Sequence, residues 1–340
     1  RNLRECILMA ESSLKQIDAR RNHSRKRLEE LKKQLLPAQQ YAKGKACLYV
    51  TGSYGRGEAS AHSDLDVFIV GKALQAEASA SQLSPLNEIC FKAQLIESSR
   101  SLGFPEFTDN GRYLIQFTDQ SFVKTLGTPE DDVTNIFTAR LLLLLESQPL
   151  VESTVYKAIV KRVIAKYWRD FADHSGDFLP TFLANDILRL WRTFCVNYEA
   201  RTERQPDDKK AKGKLKNYKL KHSRLLTCYS ALIYLLALVR LNGTVTPQDA
   251  IQMVHLSPLH RLEWLLAQSA FAEAHTEVHQ LFAQYEKFLA TTDRSESAMI
   301  SLFLDKGKSQ ELFAEADKFG QCVYNLLAAI GQKHRFLRML

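Results

Sequence analysis

The sequence between residues 49 and 70 constrains the fold most, because two β-type runs there flank a glycine-rich turn. It reads YVTGSYGRGEASAHSDLDVFIV. The first run ends in Gly52 and Ser53, and the second opens with Asp64 and Asp66. Side chains alternate along a strand, so the two aspartates are expected on one face, about 7 Å apart at ~3.3 Å rise per residue. The pattern predicts neighbouring strands that hold a carboxylate pair beside a Gly-Ser turn.

Such a pair of carboxylates suits a divalent metal ion. Magnesium prefers one or two carboxylates together with substrate phosphates, and two such ions stabilise both oxygens of an in-line phosphoryl transfer. Gly52 lets the backbone approach a phosphate, and Ser53 offers a hydroxyl and an amide to the terminal phosphates of a nucleotide. Each half of the motif is common in turns, but their order between two strands favours nucleotidyl transfer.

The hydrophobic patterns along the chain predict an α+β protein. Residues 1–36 carry leucine and isoleucine at helical spacing, and Pro37 ends that pattern. Strands are predicted at 47–50, 66–70 and 113–117, with a helix at 85–102. Helices are then predicted at 133–147, 151–172, 180–200, 222–241, 247–254, 258–270, 275–290, 296–303 and 308–332. We therefore expect an N-terminal helical segment (1–40), a small mixed-sheet catalytic domain (41–150) and an all-α domain that binds substrate or nucleotide (151–340).

Composition and charge narrow the class of protein. Lys and Arg outnumber Asp and Glu by 46 to 38, which suits a polyanionic ligand without identifying it. Six cysteines are scattered without a CxxC pair, so we expect a reducing compartment and a cytoplasmic protein. The longest apolar run, residues 225–239, is shorter than the ~20 residues that a bilayer requires and predicts a buried core helix. No apolar stretch typical of a secretory signal follows the first residues, and no membrane partner is expected.

The segment GSYGRGEASAHSDLDVFIV is similar to the signature of the DNA polymerase β-like nucleotidyltransferase superfamily. Within it, the sequence most resembles the PII-protein uridylyltransferases of bacteria and their relatives, with a weaker similarity over residues 131–150. The resemblance implies that Gly52 and Ser53 hold the triphosphate of an NTP such as ATP. It also implies that Asp64 and Asp66 are catalytic and bind Mg²⁺ or Mn²⁺.

The sequence departs from that family at the third carboxylate. Family members usually carry one on a later strand, where it helps to deprotonate the acceptor hydroxyl. The predicted strand YLIQF (113–117) has no acid, and the nearest are Asp109 and Asp119. Either aspartate could be the third ligand, or two carboxylates could suffice. A site that binds nucleotide without turnover is a further alternative.

Two segments of the helical half could complete the site. Asn185, Arg189, Arg192 and Glu199 share a helical stripe that points either to a cleft or to solvent, with Trp191 and Phe194 in the core. Residues 201–224 are strongly basic, and we expect their first half to be an exposed loop.

The second half of that basic run leads into the apolar helix and contains Lys219, Lys221 and Arg224. Cations at a helix start oppose the macrodipole, so a triphosphate would compensate them, unless the segment is simply a solvated basic loop.

These features predict an enzyme that transfers NMP from an NTP to an acceptor hydroxyl with release of pyrophosphate. The acceptor could be a protein side chain, an RNA end or another nucleotide. The alternative is a catalytically weak module that binds nucleotide or RNA through residues 209–224, in which the nucleotidyltransferase fold is retained.

Overall fold

The computed structural model describes residues 14–74, 77–107, 111, 114–202, 207–331 and 334–339. The chain divides into two compact units. Among the described residues, the first unit lies within 20–173 and 246–257, and the second lies within 14–19, 174–245 and 258–339. Residues 1–13 of the predicted N-terminal helix lie outside the described part. This division follows from the packing of the chain. The domain boundaries expected near residues 40 and 150 rest on hydrophobic pattern alone and stay predictions.

The first unit contains a four-stranded mixed sheet in the order β5-β2-β1-β6. Its strands are β1 (Ala46–Val50), β2 (Val67–Gly71), β5 (Gln116–Thr118) and β6 (Gln148–Val151). Strand β1 is antiparallel to β2 and β6, and β2 is parallel to β5. A separate hairpin joins β3 (Ala73–Leu74) to β4 (Glu77–Ser81). Among the described residues the strands precede a long run of helices, which confirms the predicted α+β class.

The helices of the first unit cover both faces of this sheet. They are α1 (Lys15–Gln34, from Arg20 onward), α2 (Gln39–Ala42), α3 (Gly52–Arg56), α4 (Pro85–Ser101), α5 (Asp119–Lys124), α6 (Glu130–Val133), α7 (Ile136–Glu146), α8 (Ser153–Tyr167) and α12 (Pro247–His255). On one face, Leu48 and Val50 join a core with Leu31 of α1 and Phe91 of α4. On the other face, the hydroxyl of Tyr49 donates to the carbonyl of Ala139 in α7 at 3.3 Å. Strand β1 is therefore buried on both sides, as its continuous apolar sequence requires.

All the regular secondary structure described in the second unit is helical. Its elements are α9 (Thr181–Thr202), α10 (Asp207–Lys219), α11 (Leu225–Asn242), α13 (Pro258–Leu266), α14 (His275–Thr291), α15 (Glu296–Leu304), α16 (Lys306–Gly331) and α17 (Arg335–Met339). Helix α11 forms the core, with Leu232, Leu235 and Leu236 fully buried. The continuous helical stretch Lys209–Asn242 is long and apolar enough to cross a membrane by length and composition, but 72% of its most apolar window is buried within the protein. It is a core helix here.

The prediction of an exposed loop in the first half of the basic segment is wrong for residues 201–202 and 207–212, which are helical, whereas residues 203–206 lie outside the described part. Instead of an exposed loop, α10 continues through a π-helical turn (Leu220–Arg224) into α11. Ala211, Leu215 and Tyr218 are buried at steps of four and three residues, and this apolar stripe anchors α10 despite its many lysines. Strands β3, β4 and β6 were also not predicted, because β4 lacks β-branched residues and β6 contains Pro149.

The π-helical turn buries a histidine, which predicts acid sensitivity. The His222 ring stacks between Phe288 and Phe319 at centroid distances of 4.5 and 4.9 Å. Burial lowers the pKa of His222 from 6.5 to about 4. The unfolded chain therefore takes up a proton more readily between these two pH values, so the free energy of unfolding should fall as pH drops from 6.5 towards 4. The loss attributable to this group is roughly 3 kcal/mol at most.

Chemical denaturation at several pH values measures this effect. His222→Phe, which suits the aromatic cluster, should flatten the dependence between pH 4 and 6.5. The exposed His174 is the matched control, and His174→Gln should leave the wild-type slope in place. An unchanged slope in His222→Phe would show that other groups account for the acid sensitivity.

Candidate active site

The candidate site is built on the turn between β1 and β2. The short helix α3 (Gly52–Arg56) begins two residues after the end of β1, and Gly57, whose φ is 75°, caps its C-terminus. The amide of Thr51 donates to the carbonyl of Asp66 at 2.8 Å. This bond ties the start of the turn to the residue that precedes β2.

Gly52 has a structural reason to be glycine. Its φ is +65°, in the left-handed region that favours glycine, and the Asp66 carboxylate lies where a side chain would begin. A Cβ at this position would come within 3.2 Å of Asp66 Cγ and closer still to its Oδ2 atom. The glycine therefore allows Asp66 to pack against the turn. That the backbone at Gly52 also lets a phosphate approach stays a prediction.

Asp64 and Asp66 lie in the segment that leads into β2, a central strand, and the end of the sheet that these two residues occupy is called the exposed edge. Both are exposed, while Leu65 between them and Val67 after them are buried. This is the alternation that the sequence predicted for two carboxylates on one face. Ser53 is half-buried and follows Gly52, against which Asp66 packs, and its amide, in the first turn of α3, has no intrahelical acceptor. The edge thus presents oxygen ligands next to hydrogen-bond donors.

Beneath the turn lies a network of buried charges that the sequence analysis missed. Glu146 accepts from the Gly52 amide through Oε1 at 3.1 Å and from Arg56 through Oε2 at 2.8 Å. The Arg56 Nε atom donates to Glu58 at 2.8 Å. The sequence contains two hints of this network: Arg56 and Glu58 lie inside the motif, and Glu146 is a charged residue directly after five leucines. Glu146 is 94 residues from Gly52, however, and only the fold brings them together.

Further hydrogen bonds hold the loop that follows the turn. On one side, Ser24 of α1 accepts from the Ala59 amide at 2.8 Å, and Arg20 donates to the Glu58 carbonyl at 3.3 Å. On the other, the Gln148 side chain donates to the Gly55 carbonyl at 2.9 Å. The backbone between the Gly-Ser pair and the two aspartates is therefore fixed by α1 and β6.

Asp119 is not the third carboxylate of this site. Strand β5 is parallel to β2 with Thr118 opposite Gly71, so Asp119 lies past the far end of β2. Asp66 precedes the near end, five residues before Gly71, which corresponds to about 16 Å along the strand. Asp119 also accepts from the Ala73 amide at 2.8 Å and pairs with Arg162. Its role is structural.

The other third-ligand candidate, Asp109, lies outside the described residues. Within the described part of the chain, no group of three or more His, Cys, Asp or Glu side chains is placed to hold a metal ion.

In the second unit, Asn185 and Arg192 are exposed, and the half-buried Arg189 lies 3.7 Å from Asp186. The Glu199 side chain is outside the described part. Trp191 packs on Tyr229 with ring centroids 6.2 Å apart. These contacts are internal to the unit, and nucleotide binding by Arg189 and Arg192 stays a prediction.

The premise for the second basic group is wrong. Because the backbone stays helical from α10 through the π turn into α11, Leu225 is not a free helix N-terminus and the positive end of a helix dipole does not lie there. Lys219 is exposed, Lys221 pairs with Asp317 at 2.8 Å, and Arg224 lies over the Phe194 ring at 5.2 Å. Contact of these three side chains with nucleotide phosphates stays a prediction, and the helix dipole no longer supports it.

Comparison with known proteins supports the interpretation of the first unit. The family model described as the nucleotidyltransferase domain matches residues 28–123. The matched range begins within α1, includes the Gly-Ser turn and both aspartates, and ends within α5. Neither the curated proteins nor the solved structures contain a significant match to the chain. Glu146 lies outside the matched range.

Two glycine substitutions separate backbone strain from the contact with Asp66. Gly52→Ala and Gly57→Ala both place an L residue at positive φ, which costs about 1–2 kcal/mol in the free energy of unfolding. A Cβ at Gly57 meets nothing within 4 Å, whereas at Gly52 it displaces the Asp66 carboxylate. The Asp66 carboxylate is the end of an exposed side chain, so its displacement should weaken metal-dependent nucleotide binding more than it lowers stability.

We expect similar losses in chemical denaturation for the two variants, but loss of metal-dependent nucleotide binding in Gly52→Ala alone. Titration with an NTP in the presence of Mg²⁺ measures the second effect. Equal binding by the two variants would contradict the importance of this contact.

Proposed function

We propose that the first unit transfers NMP from an NTP to an acceptor hydroxyl and releases pyrophosphate, in a reaction that requires Mg²⁺ or Mn²⁺. The nucleotidyltransferase match over residues 28–123 supports transferase activity of this general type. The observation that carries the proposal is the exposed edge at which Asp64 and Asp66 stand beside the Gly-Ser turn, with Asp66 packed against Gly52.

The residues at this edge fit a divalent cation. Two exposed carboxylates are the oxygen ligands that magnesium prefers, and it takes its remaining ligands from water and substrate phosphates. Asp64 and Asp66 would hold the ion. When bound, it neutralises charge on the phosphates that react.

The chain's own groups would bind and orient the nucleotide. Ser53 would donate from its amide and hydroxyl to the terminal phosphates of the nucleotide. The acceptor oxygen attacks the α-phosphorus, and the bond to the bridging oxygen of pyrophosphate breaks on the opposite side. Asp109 is the candidate to take the acceptor's proton.

Resemblance to the PII-protein uridylyltransferases favours a protein side chain as the acceptor and a bacterial, cytoplasmic enzyme. An RNA end or a second nucleotide are the other acceptors we consider.

The second candidate function is a module that binds nucleotide or RNA without turnover. Two observations favour it. The strand predicted at 113–117, where the family's third carboxylate would lie, contains no acid. Helix α10 also presents a row of exposed lysines, namely Lys209, Lys210, Lys212, Lys216 and Lys219.

Aspartate substitutions test the enzyme assignment. Asp64→Ala or Asp66→Ala should abolish nucleotide transfer and leave the fold intact, because removing one of two neighbouring carboxylates relieves repulsion in the metal-free protein. Mass spectrometry of reactions with Mg²⁺, each NTP and a lysate would detect a labelled protein, an extended RNA or a small nucleotide product.

Asp119→Asn is the matched control. It should lower stability, because Asp119 pairs with Arg162 and accepts from the Ala73 amide, but the folded protein should keep its transfer rate. Asp109→Asn should abolish transfer if Asp109 is the third carboxylate. Unchanged turnover in Asp66→Ala would refute the metal-site assignment.

Lysine substitutions decide between a nucleotide site and a polyanion surface. If Lys219, Lys221 and Arg224 contact the triphosphate, alanine at any one should weaken NTP binding by roughly ten- to a hundredfold, as for loss of a charge-assisted hydrogen bond. Lys209→Ala and Lys210→Ala should then have little effect on the NTP dissociation constant.

A uniform loss of RNA binding across all five positions, which steepens as salt is lowered, would favour the RNA-binding module. Dissociation constants within about twofold of wild type at every position, for NTP and RNA alike, would exclude both roles for the basic segment.

A further inference from the structure

Three buried charges meet beneath the Gly-Ser turn. The side chains of Arg56, Glu58 and Glu146 are 7%, 3% and 0% exposed. Two carboxylates share one guanidinium in this network, and Glu58 Oε1 has no hydrogen-bond partner among the described residues. Removing such groups from water costs several kcal/mol per ion, and well-packed apolar residues often replace a buried ion pair without loss of stability. Stability alone is therefore a weak reason for this network.

The network makes its contacts at the turn itself. Glu146 Oε1 accepts from the Gly52 amide, so that amide points inward, away from any ligand on the exposed edge. The Asp66 carboxylate also packs against Gly52. Ser53, which is expected to bind the phosphates, is the next residue in the chain. Gly52 is the first residue of α3 and Arg56 is the last. Because Glu146 accepts hydrogen bonds from both, one carboxylate holds both ends of the helix.

We propose that Glu146 is the positioning residue of the nucleotide site. Its carboxylate fixes the Gly52 amide and, through Arg56, the whole of α3, so that Ser53 and Asp66 face the same ligand. The terminal phosphates are then held by the Ser53 amide and hydroxyl, and the Gly52 amide takes no part. This inference rests on the proposed transferase function.

Glu146→Gln tests the proposal with little change in shape. The amide oxygen of glutamine can still accept from Gly52, but its NH₂ group then faces the Arg56 guanidinium, and two donors cannot pair. The turn should loosen. Since a shift of about 1 Å in a reacting group can cost ~100-fold, kcat/KM for the NTP should fall by about that factor.

Asp131→Asn is the matched control. Asp131 pairs with Arg140 at 2.5 Å in the same unit, both side chains are 0% exposed, and its described contacts lie away from the turn. Both variants remove one buried carboxylate charge and should lose comparable stability. At a temperature where both are folded, Asp131→Asn should stay within about threefold of wild-type kcat/KM, as expected for a purely structural pair.

Hydrogen exchange followed by mass spectrometry provides a readout that does not need activity. The peptide covering residues 51–58 should exchange faster in Glu146→Gln and at the wild-type rate in Asp131→Asn. If Glu146→Gln does not fold, Arg56→Lys keeps the buried positive charge without the bidentate link and should show the same local change.

Equal exchange of residues 51–58 in the two carboxylate variants, or activity lost in proportion to stability in both, would overturn the proposal. If the wild-type protein transfers no nucleotide, the proposed function fails. The exchange comparison still shows whether Glu146 fixes the turn.

Discussion

The buried pair between Glu146 and Arg56 is the interaction on which the arrangement of the site depends. Buried charges are tolerated only where their partners are well placed, so this pair requires the end of α7 to lie directly under the turn after β1. Strand β6 begins shortly after α7 and pairs with β1. This pairing holds Glu146, the last residue of α7, beneath the turn. The turn, the sheet edge and the end of α7 are thus one structural element formed from distant parts of the sequence.

The order of the strands determines which acids can act together. Strand β2 pairs with β1 on one side and, in parallel, with β5 on the other. Acids that precede β2 therefore lie at the opposite end of the sheet from acids that follow β5. Asp64 and Asp66 therefore lie at the exposed edge. Asp119 lies at the opposite end of the sheet, where it forms a structural ion pair with Arg162.

The sequence predicted the parts of the site that depend on local pattern. Strands β1 and β2, the turn between them and the alternation around Leu65 follow from residues close together in the chain. The role of Asp119 could not be predicted, because the register of a parallel pair is a tertiary property. Glu146 was missed for the same reason. Helix α10 was missed because its lysines outweighed the apolar stripe of residues 211, 215 and 218, which the sequence does contain.

The central claim is that the edge carrying Asp64 and Asp66 binds a metal–nucleotide complex. Electron paramagnetic resonance of Mn²⁺, titrated with a non-hydrolysable NTP analogue, measures this binding without depending on an acceptor. We expect the wild-type protein to remove free Mn²⁺ from solution when the analogue is present. The Asp64→Asn, Asp66→Asn double variant, equally stable in chemical denaturation, should remove none beyond what the analogue binds by itself. Identical titrations for the two proteins would contradict the account.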